Sequence, residues 1–430
     1  MDRHDVVVIG GSIAGASLAT VLARHHFDVL VLERQHVFGD QAASGHLAPW
    51  GVREAAQLDL LGELLGTPSA QVIRRLAVAD GETGWDDAER SAIDLTSLLP
   101  GVPGGLGIAH PDISDVLLRA STAAGAAVLR GVHDIEVTPG DEPGDAGGGQ
   151  RQPTVRFRLH GRPYERAAGL VVGADGRASP VRQRLGRRLE GQPRDTHVVA
   201  LQVEGVGAWP DGLGVMGADR DGFLTVHPQA GSRMRLYAAH GPAANERYNG
   251  PEGAERFLTT FRRHWLPEGG EALAGATPCG ECAVVTVNDS WVERPFGEGV
   301  VLIGDAAGWS DPRLGQGIAV ALRDVAVLVD LLRSRDDWSD LARDGLPGYG
   351  EERNERMRRL RVASTVAALV YGHDEASARR RRRIRVMFDA LAGRIDPRFA
   401  CSASLIGPWE LPAEGFTPEA VAAVEALAEP

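Results

Sequence analysis

Six residues near the N-terminus, Gly10-Gly11-Ser12-Ile13-Ala14-Gly15, form the first pattern with chemical consequences. A glycine turn brings bare backbone N–H groups against an anion, and the dipole of a following helix adds to the attraction. Gly10 permits a tight turn and Gly15 permits close helix-to-sheet packing, with Ile13 and Ala14 between them. Ser12 stands where a glycine usually lets a pyrophosphate approach the backbone. A serine fits there if its hydroxyl turns aside or itself bonds a phosphate. Glu33, at the end of the next apolar run and followed by Arg34, is spaced to accept hydrogen bonds from a ribose. Such a turn serves any dinucleotide.

Composition removes other chemistries. All 46 basic residues are arginine, so Schiff-base chemistry, a lysine nucleophile and a Walker-type phosphate lysine are excluded. Cys279, Cys282 and Cys401 are too few for a disulfide framework or a four-thiolate cluster. Cys279-Gly-Glu-Cys282 has redox spacing without thioredoxin-like surroundings, and reads as structural or incidental thiols. A net charge of -12 argues against nucleic acid as a partner. No apolar run reaches membrane-spanning length and no secretory pattern opens the chain, so no membrane partner and a cytoplasmic location are expected. No metal site is expected.

The elements that must position these residues follow from hydrophobic periodicity. Residues 5–9 and 28–32 read as strands of a parallel sheet buried on both faces, joined by a helix over 13–25. Residues 114–137 repeat helix then strand, 139–153 are a breaker-rich hairpin loop, and 168–176 are a buried strand ending in a turn. From 196 to 286, short alternating runs predict a mainly antiparallel sheet. Residues 299–308 return to a parallel-type strand, followed by a helix over 318–334. The expected fold class is α/β: a nucleotide-binding domain in pieces (1–70, 105–185 and 295–335), a β-rich domain (71–104 and 186–294), and a helical C-terminal region (336–430). The basic run Ala378–Arg385 reads as a solvated helix face, with contact to an anionic substrate or partner as the alternative.

Two further runs specify the cofactor. GADGRASPVRQRLG (Gly173–Gly186) and GVVLIGDAAGWSDPRLGQGIAVALRD (Gly299–Asp324), in this order after the glycine turn, resemble motifs of the FAD-dependent aromatic hydroxylases. These are the para-hydroxybenzoate hydroxylase-like, single-component flavoprotein monooxygenases, and the resemblance spans the framework of residues 1–335. It implies a Rossmann-like FAD-binding domain with the β-rich segment as the substrate domain. By resemblance, Asp305 bonds the ribityl chain, Pro312 begins the loop over the isoalloxazine, and Gly315-Gln316-Gly317 place backbone N–H groups near the flavin's pyrimidine edge. Asp175 and Gly176 lie beside the pyrophosphate, and Arg34, His110 and Val132 belong to the same cofactor site. There are departures: Gly308 and Trp309 follow GDAA where many relatives have histidine, and His110 replaces an arginine.

The resemblance implies a reaction as well. A transiently bound NAD(P)H reduces the flavin, dioxygen forms a flavin C4a-hydroperoxide, and an electron-rich aromatic or polyketide-like molecule is hydroxylated or epoxidised. Small-molecule substrate and dioxygen are the implied partners, with a homodimer left open. Catalytic candidates are His46, His227 and Pro312, and substrate-pocket candidates are Trp50, Tyr237, Trp309 and Arg313. Two alternatives stand beside this one: an FAD-dependent reductase of a prenyl or polyene substrate, and a non-catalytic flavin-binding protein.

Overall fold

Val6–Ile9, buried without interruption, form the centre of strand β1 (Asp2–Ile9), because a strand covered on both faces must be apolar at every position. The computed structural model describes residues 2–39, 45–140, 152–241, 243–250, 252–334, 346–372, 374–390 and 399–429. Most of the expected 139–153 loop, residues 40–44, and parts of the C-terminal region at 336–345 and 391–398 lie outside them.

β1 pairs in parallel with β2 (Val29–Glu33) on one side and with β11 (Arg162–Gly173) on the other. β8 (Ala127–Arg130) extends the sheet beyond β2, and β19 (Val300–Leu302) extends it beyond β11, both in parallel. An antiparallel hairpin of β9 (His133–Thr138) and β10 (Thr154–Leu159) adds to β11. The alternation of side chains sorts this sheet's core. Val6, Val8, Val31 and Val172 face helices α1 (Ile13–Arg24) and α4 (Gly317–Arg333). Val7, Ile9, Leu32 and Val171 face the opposite layer with Val155 and Phe157 of the hairpin. α1 packs between α3 (His110–Ala123) and α4.

A second sheet is mainly antiparallel, as the alternating runs predict. It contains β12 (Glu190–Glu204), β15 (Arg233–His240), β14 (Gly222–Gln229) and β13 (Leu213–Asp219) in that order, with β5 (Arg75–Asp80) parallel to β13. Leu224, Val226 and Leu236 bury one face against Phe257, Phe261 and Trp265. The other face carries Val78, Met216, Thr225, His227 and Tyr237 toward a cavity. A third, three-stranded sheet joins β3 (His46–Leu47), β7 (Gly105–Gly107) and β4 (Gln71–Ile73). Helices α5 (Pro347–Val370) and α6 (Glu375–Ala390) follow in the C-terminal region. Among the described residues no helix is long and apolar enough to cross a membrane, and no cluster could hold a metal ion.

Candidate active site

The glycine turn behaves as backbone chemistry requires. Gly10 has φ +101°, and a Cβ there would lie 2.3 Å from the Ala174 carbonyl oxygen. A Cβ on Gly15 would lie 1.9 Å from the Gly10 carbonyl oxygen, so only glycine lets α1 start this close to the strand end. The buried Glu33 carboxylate accepts from the backbone N–H of Gly11 (2.7 Å) and of Gln35 (2.6 Å), which ties the turn to the end of β2. Ser12 turns its hydroxyl toward α3, 2.9 Å from Ser114 Oγ and 3.4 Å from His110 Nε2.

From this turn runs a groove of about 1100 Å³. Gly10, Ser12, Ile13, Ala14, Glu33, Arg34, His110 and Val132 line one end. Asp175, Gly176, Asp305, Trp309, Pro312, Gly315, Gln316 and Gly317 line the rest. Gly15 lies beneath the turn as a packing residue and does not line the groove.

Two anchors hold the far wall. Arg353, on α5 and fully buried, donates to the carbonyls of Ala307 (2.9 Å), Gly308 (2.9 Å) and Gly304 (3.2 Å) and pairs with Asp324 (3.1 Å). Asp324 also accepts from the Gly304 N–H (2.8 Å) and pairs with buried Arg356 (2.6 Å). This network fixes the 3₁₀ turn Gly304–Ala307 that presents Asp305. The Asp305 carboxylate is engaged by Arg177 (3.0 Å), which also lies over the Trp309 ring, 5.0 Å from its centroid. The sequence reading did not single out Arg177, Arg353 or Arg356 as site residues. Their signal was weak in a chain whose every basic residue is arginine.

Gln316 is the N-cap of α4, and its side chain is fully engaged by protein partners. It accepts from Trp50 Nε1 (2.6 Å) and donates to the carbonyls of Leu314 and Ser404, leaving the first N–H groups of α4 without a side-chain cap. Trp50 is therefore a buried prop for this loop and lines neither space, contrary to its expected place in the substrate pocket. The indole is drawn inward because its N–H finds a buried acceptor there. Trp309 is also displaced from the expected pocket: it lines the groove, with Nε1 donating to Asn288 Oδ1 (3.0 Å).

Pro312 and Gly315 border a second, smaller space of about 230 Å³, walled by the open face of the second sheet and by C-terminal residues. His46, His227, Tyr237 and Arg313 all line it. His46 and His227 stack there with ring centroids 4.1 Å apart and planes 22° apart. A missed glycine makes this contact. A Cβ on Gly107 would fall 1.9 Å from the Pro228 carbonyl oxygen, so β7, which pairs Gly107 with His46, presses directly on the strand carrying His227. Burial pushes His46 down to about 4 and His227 well below the usual imidazole range, further lowered by its neighbour His46. Both are neutral imidazoles at pH 7, and His227 Nδ1 is buried with no partner. Arg313 is neutralised by buried Asp311, which accepts from Nη2 (2.5 Å) and Nε (3.0 Å).

The groove suits a long dinucleotide: a glycine turn with an acid at one end, an uncapped helix N-terminus at the other, and Asp175 between. Asp175 Oδ1 is buried without a partner, and burial raises its carboxyl pKa. The profile of the FAD binding domain family matches residues 3–362. The chain belongs to that family. A 3-amino-4-hydroxybenzoate 2-monooxygenase of Streptomyces cremeus is 29% identical over 369 residues, 84% of each chain. A digeranylgeranylglycerophospholipid reductase of Methanothermobacter thermautotrophicus is 25% identical over 335 residues, covering 74% of this chain and 75% of its own. The p-nitrophenol 4-monooxygenase PnpA of Pseudomonas putida shares the fold with a TM-score of 0.74 at 19% identity, covering 95% of this chain and 99% of that one. This FAD-binding protein is an FAD-dependent monooxygenase of the aromatic-hydroxylase type.

Proposed function

We propose that this monooxygenase, acting in the cytoplasm with dioxygen as co-substrate, hydroxylates a small aromatic or polyketide-like molecule held in the 230 Å³ cavity. The observation that carries the reading is that Pro312 and Gly315 line both the groove and the cavity, so the cofactor's reactive end and the substrate would meet at that seam. FAD, when bound, supplies hydride acceptance and oxygen activation. The chain's own residues supply the rest. Glu33 and Arg34 would hold the adenosine end, the Gly10–Gly15 turn and Asp175 would flank the pyrophosphate, and Asp305 with Arg177 would take the ribityl hydroxyls. The uncapped N-terminus of α4 favours negative charge at the flavin's pyrimidine edge.

The neutral His46–His227 stack is a poor proton store at neutral pH. It suits instead the orientation of a substrate hydroxyl by His227 Nδ1 and the exclusion of water. The cavity is small for a long prenyl chain, against pockets of roughly 300–1,000 Å³ for drug-sized ligands, which favours oxygenation over the reductase alternative. In this proposal the chain divides into a discontinuous FAD domain (1–70, 105–185, 295–335), a substrate domain (71–104, 186–294) and a helical C-terminal region (336–430). Purified protein should be yellow and should oxidise NAD(P)H faster when a phenol fills the cavity. Protein that takes up no FAD, or that no phenol stimulates, contradicts the proposal.

A further inference from the structure

The basic run Ala378–Arg385 is not the wholly solvated face that its composition suggests. On α6, Ser377, Arg381 and Ile384 recur at helical spacing on the inner side, while Arg382 and Arg383 are exposed. Arg381 and Ile384 both line the cavity. Both hydrogen bonds of Arg381 among the described residues run from Nη1, to the carbonyls of Val370 and Gly372 (2.8 Å each). Nε is buried with no partner, and Arg381 makes no ion pair among the described residues. Arg313, the other arginine on this cavity, has its charge met by Asp311. Asp80 shares the Arg381 end and attracts the guanidinium electrostatically, while its Oδ1 accepts from the Glu82 N–H (2.9 Å) and the Thr83 hydroxyl (2.8 Å). Burial lowers the pKa of Arg381 more than Asp80, Tyr371, Asp219 and Asp374 together raise it.

The sheet supplies a ruler. His227, Thr225 and Phe223 occupy alternate positions of β14 and all line the cavity. His227 stacks on His46, whose ring lies beside Gly315 at the seam with the groove. Phe223 packs on Tyr371 with centroids 5.0 Å apart, and Tyr371 lies between the two carbonyls that Arg381 holds. Four residues of strand separate the ends by about 13 Å.

We infer that Arg381 is a specificity-determining residue that reads an oxygen acceptor, a carboxylate or carbonyl, at the end of an elongated substrate remote from the oxidised position. This rests on the proposed use of the cavity as the substrate site. Compact phenols fill only the seam end, whereas a molecule of two or three rings spans from His227 to Arg381.

The test is equilibrium binding to the FAD-loaded protein, read from flavin absorbance and from ligand fluorescence without turnover. The probes are a biphenyl with a para hydroxyl on one ring and a para carboxylate on the other, its carboxamide, plain para-phenylphenol, and para-hydroxybenzoate. Wild type should bind the two acceptor-bearing biphenyls about tenfold or more tighter than para-phenylphenol. Arg381→Gln should erase that preference while leaving para-phenylphenol affinity and FAD content unchanged, and Arg381→Lys should restore it for the carboxylate. The affinity of para-hydroxybenzoate should be the same in all three proteins. Equal wild-type affinity for the three biphenyls overturns the inference, even if a variant fails to fold. So does an undiminished preference in Arg381→Gln. If the probes discriminate but none is oxygenated, the functional proposal fails and the role of Arg381 stands.

Discussion

At the scale of single residues, the site is built from groups whose ordinary chemistry is altered by burial. His46 and His227 are the clearest case. Their protonated forms are disfavoured because a low-dielectric, stacked position solvates a cation poorly. A histidine with pKa about 4 when folded and about 6.5 when unfolded leaves the unfolded chain binding more protons between those values. Stability is therefore full above pH 6.5 and falls as the pH drops toward 4, with a cost on the order of a few kcal/mol for the pair. Melting temperature measured from pH 7.5 to 4.5 at saturating FAD should decline less steeply for His46→Gln than for wild type. Parallel curves would show that His46 is not the buried neutral group described.

At the scale of elements, the site depends on contacts that hold turns and sheets at set distances. Gly107→Ala would drive a methyl into the Pro228 carbonyl and force β7 off β14. Overpacking of this kind costs about 1–3 kcal/mol. Because the contact that suffers is the His46–His227 stack, substrate affinity should fall several-fold while FAD occupancy changes little. Titration with a phenol and the flavin absorbance of the same sample check both halves. Behind the groove, Arg353→Met would take one donor from each of three backbone carbonyls and one of its two cationic partners from Asp324. Breaking a buried ion pair from one side costs about 3–5 kcal/mol. The urea midpoint should drop sharply and the purified protein should lose FAD, since the turn bearing Asp305 loses its support. An unchanged midpoint with full flavin content would remove the network from the account.

At the scale of the whole molecule, backbone-driven features were legible in the sequence and packing-driven ones were not. Gly10, Gly15 and the apolar strand Val6–Ile9 state their roles locally, because a close approach needs glycine and a doubly covered strand needs unbroken hydrophobicity. The long motifs at Gly173–Gly186 and Gly299–Asp324 pointed to FAD because they combine strand, turn and helix start in one stretch. The direction of the Ser12 hydroxyl was open until α3 supplied Ser114 and His110 as partners. Trp50 was misplaced because aromatic character suits a prop and a pocket equally, and only its bond to Gln316 separates the two. The stacking of His46 on His227 joins distant segments through Gly107, whose significance is purely steric. Arg381 was hidden among identical neighbours until the helix phase turned it inward. Oxygen transfer at the seam of groove and cavity is tested by turnover of the phenolic probes under isotopically heavy dioxygen with NAD(P)H. One labelled oxygen atom per molecule of hydroxylated product is expected; label confined to peroxide and water, or a reduced product formed without dioxygen consumption, rules oxygen transfer out.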